Sequence, residues 1–126
     1  MKKVIKYLSL ILIFLLLANM LCACTQKPWN YKDSTWYSEE PNISIYWHNT
    51  KWCGEIKSSD DTIEIVLVWG GAMGFNIFEK NADTTKQSNY LMYGVIKNYN
   101  SKIFVVEILG DKIYNNQYKT LTFYRV

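Results

Sequence analysis

The residues of this chain that could perform acid–base or nucleophilic chemistry are few. The only histidine is His48, so a catalytic triad, a histidine-rich metal site or a general base would have to include it. Because Trp47 falls on the inward face of a predicted strand, His48 is expected on the outer face. Cys53 could be a nucleophile only if nearby positive charge favoured its thiolate. It shares a face with Glu55 and Lys57, which favours a partly covered, inert thiol.

One glycine-rich stretch has the composition of a phosphate-binding loop. It runs Gly70-Gly71-Ala72-Met73-Gly74, but it lacks the Gly-Lys-Ser/Thr ending and is followed by strand-like residues rather than a helix. Backbone amides at a helix N-terminus, which hold the phosphate in such loops, are therefore not predicted here. The stretch predicts a flexible hairpin instead, with no cofactor.

The carboxylates are scattered along the chain. Glu39 and Glu40 are adjacent, and so are Asp60 and Asp61. Neighbouring residues on a strand point to opposite faces, so neither pair can work by itself as the two carboxylates of a glycosidase. We therefore expect no catalytic residue and no metal site. Two acids contributed by different strands stay open as an alternative, which makes a hydrolase the third functional hypothesis.

The N-terminal residues predict export. Lys2, Lys3 and Lys6 precede an apolar run from Leu8 to Leu17, and Leu21-Cys22-Ala23-Cys24 follows. These four residues resemble the bacterial lipobox, which implies a signal peptide over 1–23 and lipidation of Cys24. The mature protein would be anchored by lipid to the extracytoplasmic face of the cell membrane, with 24–33 as a tether. A plain secretory signal, or an uncleaved transmembrane anchor over 4–21, is the alternative.

Removal of this leader changes the charge balance. The chain has 14 basic and 11 acidic residues, and three of the basic ones lie in the leader, so the mature domain is neutral. Neutrality argues against a nucleic-acid partner and against a polybasic membrane patch. Cys22 would be discarded and Cys24 lipidated, which leaves Cys53 alone and allows no intrachain disulfide. Stability must then come from burial of aromatic side chains.

The mature chain predicts an all-β domain over 34–126. Ile43, Ile45 and Trp47 alternate with polar residues, as in a half-buried strand, and turn residues recur at short intervals. The predicted strands are 34–39, 42–49, 51–58, 61–69, 73–80, 90–97, 102–109 and 119–126. An antiparallel meander of this length can remove its edges by closing into an eight-stranded barrel. A two-sheet β-sandwich is the alternative.

Two segments carry a resemblance to a known fold family. Ser34-Thr35-Trp36 is similar to the Gly-x-Trp of the first strand of lipocalins and other calycins, with Ser34 in place of the glycine. Thr122-Phe123-Tyr124-Arg125-Val126 is similar to their last strand, in which a basic residue lies over that tryptophan. The resemblance implies that Trp36 and Arg125 form a structural pair at the closed end of the barrel, and it implies nothing about the ligand.

The aromatic residues have two interpretations. Trp36, Trp47, Trp52, Trp69, Phe75 and Phe123 could simply fill the interior, or the late tyrosines Tyr90, Tyr93, Tyr99, Tyr114 and Tyr118 could join an exposed Trp in a contact surface. The first functional hypothesis is a non-enzymatic barrel that binds a small molecule or glycan. The alternative is a protein-interaction module such as an inhibitor or immunity lipoprotein. In either case we expect the partner at one rim, formed by 70–74 and 81–89, with Trp69, Gly70, Gly71 and Gly74 at the mouth.

Overall fold

The computed structural model describes residues 2–23 and 26–126, and the side chains of 4–15 and 26–126. Cys24, the expected lipidation site, lies outside the described residues. Helix α1 (Lys2–Ala23) presents its described side chains to solvent. Among the described residues, no helix combines the length and the apolar character that a membrane span requires.

All the strands belong to one closed antiparallel barrel. Each strand pairs with the next along the chain, and the eighth pairs with the first. The strands are β1 (Thr35–Ser38), β2 (Asn42–His48), β3 (Lys51–Lys57), β4 (Thr62–Gly70), β5 (Gly74–Glu79), β6 (Tyr90–Tyr99), β7 (Ile103–Asp111) and β8 (Thr120–Arg125). The predicted eight-stranded meander barrel is confirmed, and the sandwich alternative is wrong. Predicted strand ends differ from the observed ones by at most two residues.

Side chains fill the interior of the barrel. Trp36, Phe75, Phe104 and Phe123 are fully buried, and the rings of Phe104 and Phe123 stack with their centroids 4.8 Å apart. Alternation on each strand places these rings inward, and an eight-stranded barrel has room for little more than its own side chains. The core cluster and the aromatic rings packed against it lie entirely between Trp29 and Phe123. Residues 26–126 therefore hold a complete core without α1.

The connections between strands alternate between the two ends of the barrel. The chain enters β1 and leaves β8 at one end, called here the entry end, which also carries the turns after β2, β4 and β6. The opposite end, called the far end, carries the connections after β1, β3, β5 and β7. The expectation that 70–74 and 81–89 share one rim is therefore wrong. An antiparallel meander must reverse direction at every turn, so consecutive connections lie at opposite ends.

The segment expected to be a tether closes the entry end. Pro28–Asn30 forms a 3₁₀ turn in which Pro28 is buried, and the Trp29 ring lies 5.3 Å from the ring of Trp69. Tyr31 presents an edge-to-face contact to Trp36, with ring centroids 6.1 Å apart. A polar tether is thus the wrong description of Pro28–Tyr31, because their apolar rings bury against the open end of the barrel.

The predicted pair of Trp36 and Arg125 lies at this same end. The two residues are opposite each other in the ladder between β1 and β8. The Arg125 guanidinium lies 4.4 Å from the ring centroid of Tyr31, which in turn touches Trp36. The cation–π contact that the sequence assigned to the Trp36 ring is therefore made with Tyr31, a residue that sequence reasoning placed in the tether.

Candidate functional site

Trp69 was expected at the open mouth of the barrel, but it lies inside an aromatic cluster. Its ring is within 5.3–5.9 Å of four others, measured between centroids: Trp29, Trp52, Phe75 and Phe104. The Trp69 side chain is half-buried, and its Nε1 has no hydrogen-bond partner among the described residues. The Trp29 ring covers the position at which a ligand would enter from the entry end.

The glycines beside Trp69 form the turn between β4 and β5. Gly70 and Gly74 are opposite each other, and a Cβ on Gly74 would lie 3.0 Å from the Gly70 Cα. Positive φ angles occur at Ala72 (55°) and Met73 (69°), not at the glycines. Gly70 and Gly74 therefore allow two backbone segments to approach closely, while Gly71 faces open space. Ligand binding by Trp69, Gly70, Gly71 and Gly74 stays a prediction.

A groove lies on the outer wall of the barrel. Its volume is about 320 Å³, and it lies between the turn after β2, the outer face of β4 and the connection after β5. Apolar groups of Trp47, Val66, Val68 and Ala82 line it, with Thr50, Thr84, Lys51 and Lys80 at its margin. We call these eight residues the outer groove. Its volume is at the lower limit for small-molecule sites.

The connection between β5 and β6 builds one side of the outer groove. Asp83 orders it, since its Oδ1 accepts hydrogen bonds from the Thr85 N–H at 3.0 Å and the Thr85 hydroxyl at 2.6 Å. These two hydrogen bonds lower the pKa of Asp83 below its usual value, and the bond from the Thr85 hydroxyl contributes more than the bond from the Thr85 N–H. The segment lies against the barrel wall, where Val66 and Phe78 are buried on the outer face.

Val66 is buried on the outer face of β4, so this part of the strand is covered on both sides. Val68, two residues further along β4 on the same face, is 37 % exposed. The cover over β4 is therefore incomplete, and the gap is the outer groove. An exposed valine beside Trp47 leaves apolar surface available to a partner.

His48 and Cys53, the residues considered above for nucleophilic chemistry, lie on the outer wall next to this groove. A smaller depression of about 110 Å³ is lined by Tyr46, His48, Cys53, Glu64 and Lys80, among others. His48 is exposed and Cys53 half-buried, both outward as the alternation predicted. The Cys53 thiol lies 3.9 Å from the carbonyl oxygen of Lys51, and no hydrogen bond joins it to His48 in the part of the chain that the structure describes.

Two carboxylates from different strands do meet on this wall. Glu55 on β3 and Glu64 on β4 are directly opposite each other in the ladder. Each has a lysine partner: Lys57 lies 3.8 Å from Glu55, and Lys80 lies 3.2 Å from Glu64. Both carboxylates are therefore held in ion pairs on the outer wall and do not converge on a cleft. Among the described residues, no three His, Cys, Asp or Glu side chains are grouped to hold a metal.

The far end contains a buried carboxylate that sequence reasoning missed. Asp111 is 5 % exposed, and its Oδ1 accepts hydrogen bonds from the backbone N–H groups of Ile113 at 2.8 Å and Tyr114 at 3.0 Å. The pKa of Tyr114 is raised, mainly by burial of its hydroxyl and to a smaller extent by the nearby Tyr118 and Asp111. The side chain of Asn116 accepts from the Asp111 N–H, so this carboxylate organises the turn after β7. Gly110-Asp111 followed by Asn115-Asn116 is the turn signal that could have located it.

The described side chains thus provide a surface for contact and no nucleophile held by a base. Outside the turns, the polar groups that could do chemistry are spread along one exposed wall, whereas a catalytic site needs them to converge in a cleft. Comparisons of the chain with protein-family models, with curated proteins and with solved structures returned no match.

Proposed function

We propose that this chain is a lipid-anchored, extracytoplasmic binding module that holds a protein partner in its outer groove and does not turn it over. The observation that carries the proposal is the contrast between the two candidate sites. The interior is occupied by Trp36, Phe75, Phe104 and Phe123, whereas the outer groove is open. This contrast favours the protein-interaction hypothesis over a barrel that encloses a small ligand.

The outer groove has the character of a protein-binding surface. Trp47 is half-buried at its edge and Val68 is partly exposed, so one apolar side chain of a partner could insert between them. Lys51 and Lys80 supply positive charge at its margin. Lys80 already pairs with Glu64, and Lys51 forms no ion pair among the described residues. The complementary partner is a segment that carries an apolar side chain next to a carboxylate.

Crosslinking from a defined position tests this proposal. A photoreactive side chain at Val68 in the full-length protein should crosslink to one discrete protein in intact membranes. The same group at Leu109, an exposed apolar residue on β7, is the matched control and should not. Lys51→Glu should abolish the crosslink from Val68, and Lys57→Glu at the far end of the same strand should leave it intact.

Three results would count against the proposal. Equal crosslinking from positions 68 and 109 would show that the groove is not selective. A crosslink unaffected by Lys51→Glu would show that no carboxylate of the partner binds Lys51. A hydrolytic activity of the purified full-length chain that Glu64→Gln abolishes would establish the hydrolase hypothesis instead.

The anchoring part of the proposal rests on the lipobox resemblance of Leu21-Cys22-Ala23-Cys24. Two acyl chains on Cys24 would give stable attachment, at ~0.8 kcal/mol per buried CH₂, where one chain binds reversibly. We expect Cys24→Ser to move the protein out of the detergent phase in a phase-partitioning assay. Equal partitioning of this variant and the parent would rule out lipidation at Cys24.

A further inference from the structure

The charges of this neutral domain are separated between the two ends of the barrel. Among the described residues, Asp33 is the acidic side chain at the entry end, and Glu107, midway along β7, pairs with Lys97 at 3.2 Å. The cations of the entry end are Lys27, Lys32, Lys51, Lys97, Lys102 and Arg125. The far end carries five lysines, but its turns also hold six exposed acids: Glu39, Glu40, Asp60, Asp61, Glu79 and Asp83. The balanced composition therefore hides a basic face, contrary to the expectation that no polybasic patch exists.

Aromatic rings support the cations of the entry end. Three cations lie over half-buried rings, at 4.4–5.3 Å from the ring centroid: Lys27 over Trp29, Lys32 over Trp47 and Arg125 over Tyr31. Long basic side chains can lie along apolar rings while the charged group stays in water. Tryptophan and tyrosine beside such cations are the residues that occupy the interface between a membrane and water.

The position of the basic face matches the expected anchor. Lys27 follows Cys24 by three residues. An extended chain spans at most ~3.6 Å per residue, so Lys27 would lie within about 11 Å of a lipidated Cys24. That distance is close to the Debye length of about 8 Å at physiological ionic strength, within which an anionic surface attracts cations. The acidic turns of the far end would point away from the same surface.

We infer that the entry end docks on a bilayer that contains anionic phospholipid, with Lys27, Lys32, Lys102 and Arg125 against the headgroups. The inference deepens the proposed anchoring, because the lipid on Cys24 would hold the face close to the bilayer. The docking itself depends on the barrel alone, so it can be measured without the lipid.

The test uses the fragment 26–126, which has a complete core and lacks Cys24. We expect it to sediment with vesicles of phosphatidylcholine and phosphatidylglycerol at low ionic strength, and not with phosphatidylcholine alone. The variant Lys27→Gln/Lys32→Gln/Lys102→Gln should bind about 100-fold more weakly, since each cation near an anionic surface contributes roughly fivefold. The control Lys57→Gln/Lys86→Gln/Lys119→Gln makes the same change in net charge at the far end and should bind like the parent.

Three outcomes would overturn the inference: no binding of the parent fragment, binding to both lipid compositions alike, or equal loss of binding in the two triple variants. Circular dichroism of each variant verifies that the barrel is folded. Since the fragment carries no lipid anchor and the measurement involves no protein partner, a negative result here would leave the detergent partitioning of Cys24→Ser and the crosslinking from Val68 unaffected.

Discussion

Replacement of Trp29 by alanine tests whether residues 28–31 are part of the barrel or a tether. The Trp29 ring lies on Trp69 with centroids 5.3 Å apart. Truncation of a fully buried tryptophan costs about 3–5 kcal/mol, and aromatic pairs contribute about 0.5–1.5 kcal/mol beyond area burial. Because Trp29 is half-buried, we expect Trp29→Ala to lower the free energy of unfolding by about 2 kcal/mol.

Urea unfolding of the fragment 26–126, followed by far-UV circular dichroism, measures this change. The midpoint should fall while the slope with urea stays constant, since the surface exposed on unfolding is nearly the same. A change of about 2 kcal/mol corresponds to a fall in Tm of about 10 °C for a domain of this size. Acrylamide should also quench the remaining tryptophan fluorescence more strongly, because Trp69 loses its cover.

Asn30→Ala is the matched control, since Asn30 is exposed in the same 3₁₀ turn. We expect its midpoint to stay within the range of ordinary surface substitutions, about ±0.5 kcal/mol. If Trp29→Ala and Asn30→Ala have the same midpoint as the parent, this segment contributes no stability to the barrel and does not close its entry end.

Three further predictions concern the barrel wall and its turns. Gly54→Ala should destabilise the fold by about 1–3 kcal/mol in urea unfolding, because the new Cβ would collide with a backbone carbonyl oxygen of β2, whereas Gly71→Ala, in open space, should be neutral. Burial raises the pKa of Tyr114 above its ordinary value near 10, so the folded state favours the neutral phenol. This stabilisation is present at pH values below the pKa of tyrosine in the unfolded chain, and it is lost as the pH rises through the higher pKa of the folded state. The urea midpoint should therefore fall in alkali for the parent and fall less for Tyr114→Phe. Thr85→Val should raise the pKa of Asp83 toward its usual value in a carboxylate NMR titration, and an unchanged titration would contradict the proposed hydrogen bond.

The strands and the closed barrel could be predicted because they depend on local alternation. Ile43 and Ile45 alternate with polar neighbours on β2, and each turn carries residues suited to it, so the period of two is visible in the sequence. The number of strands then makes closure the favourable way to remove two edges. The inward positions of Trp36 and Phe123 follow from the same alternation.

The candidate site could not be predicted in the same way, because it depends on contacts between distant segments. Trp69 has the pattern of an inward residue at a strand end, but only the structure shows that Trp29, forty residues earlier, covers it. The outer groove likewise forms where the connection after β5 lies against Val66 and Val68. A polar connection of this kind has no periodicity that indicates which wall it covers.

What the sequence determined by itself is the type of fold, the inward faces of the strands and the expectation of export, since each depends on residues that are close together in the chain. What only the tertiary structure decided is which distant residues share a surface. Lys27, Lys51, Lys102 and Arg125 lie far apart in sequence and balance the acids in composition. They meet at the entry end because an antiparallel meander returns every second turn to the same end of the barrel, so a neutral chain can present a basic face.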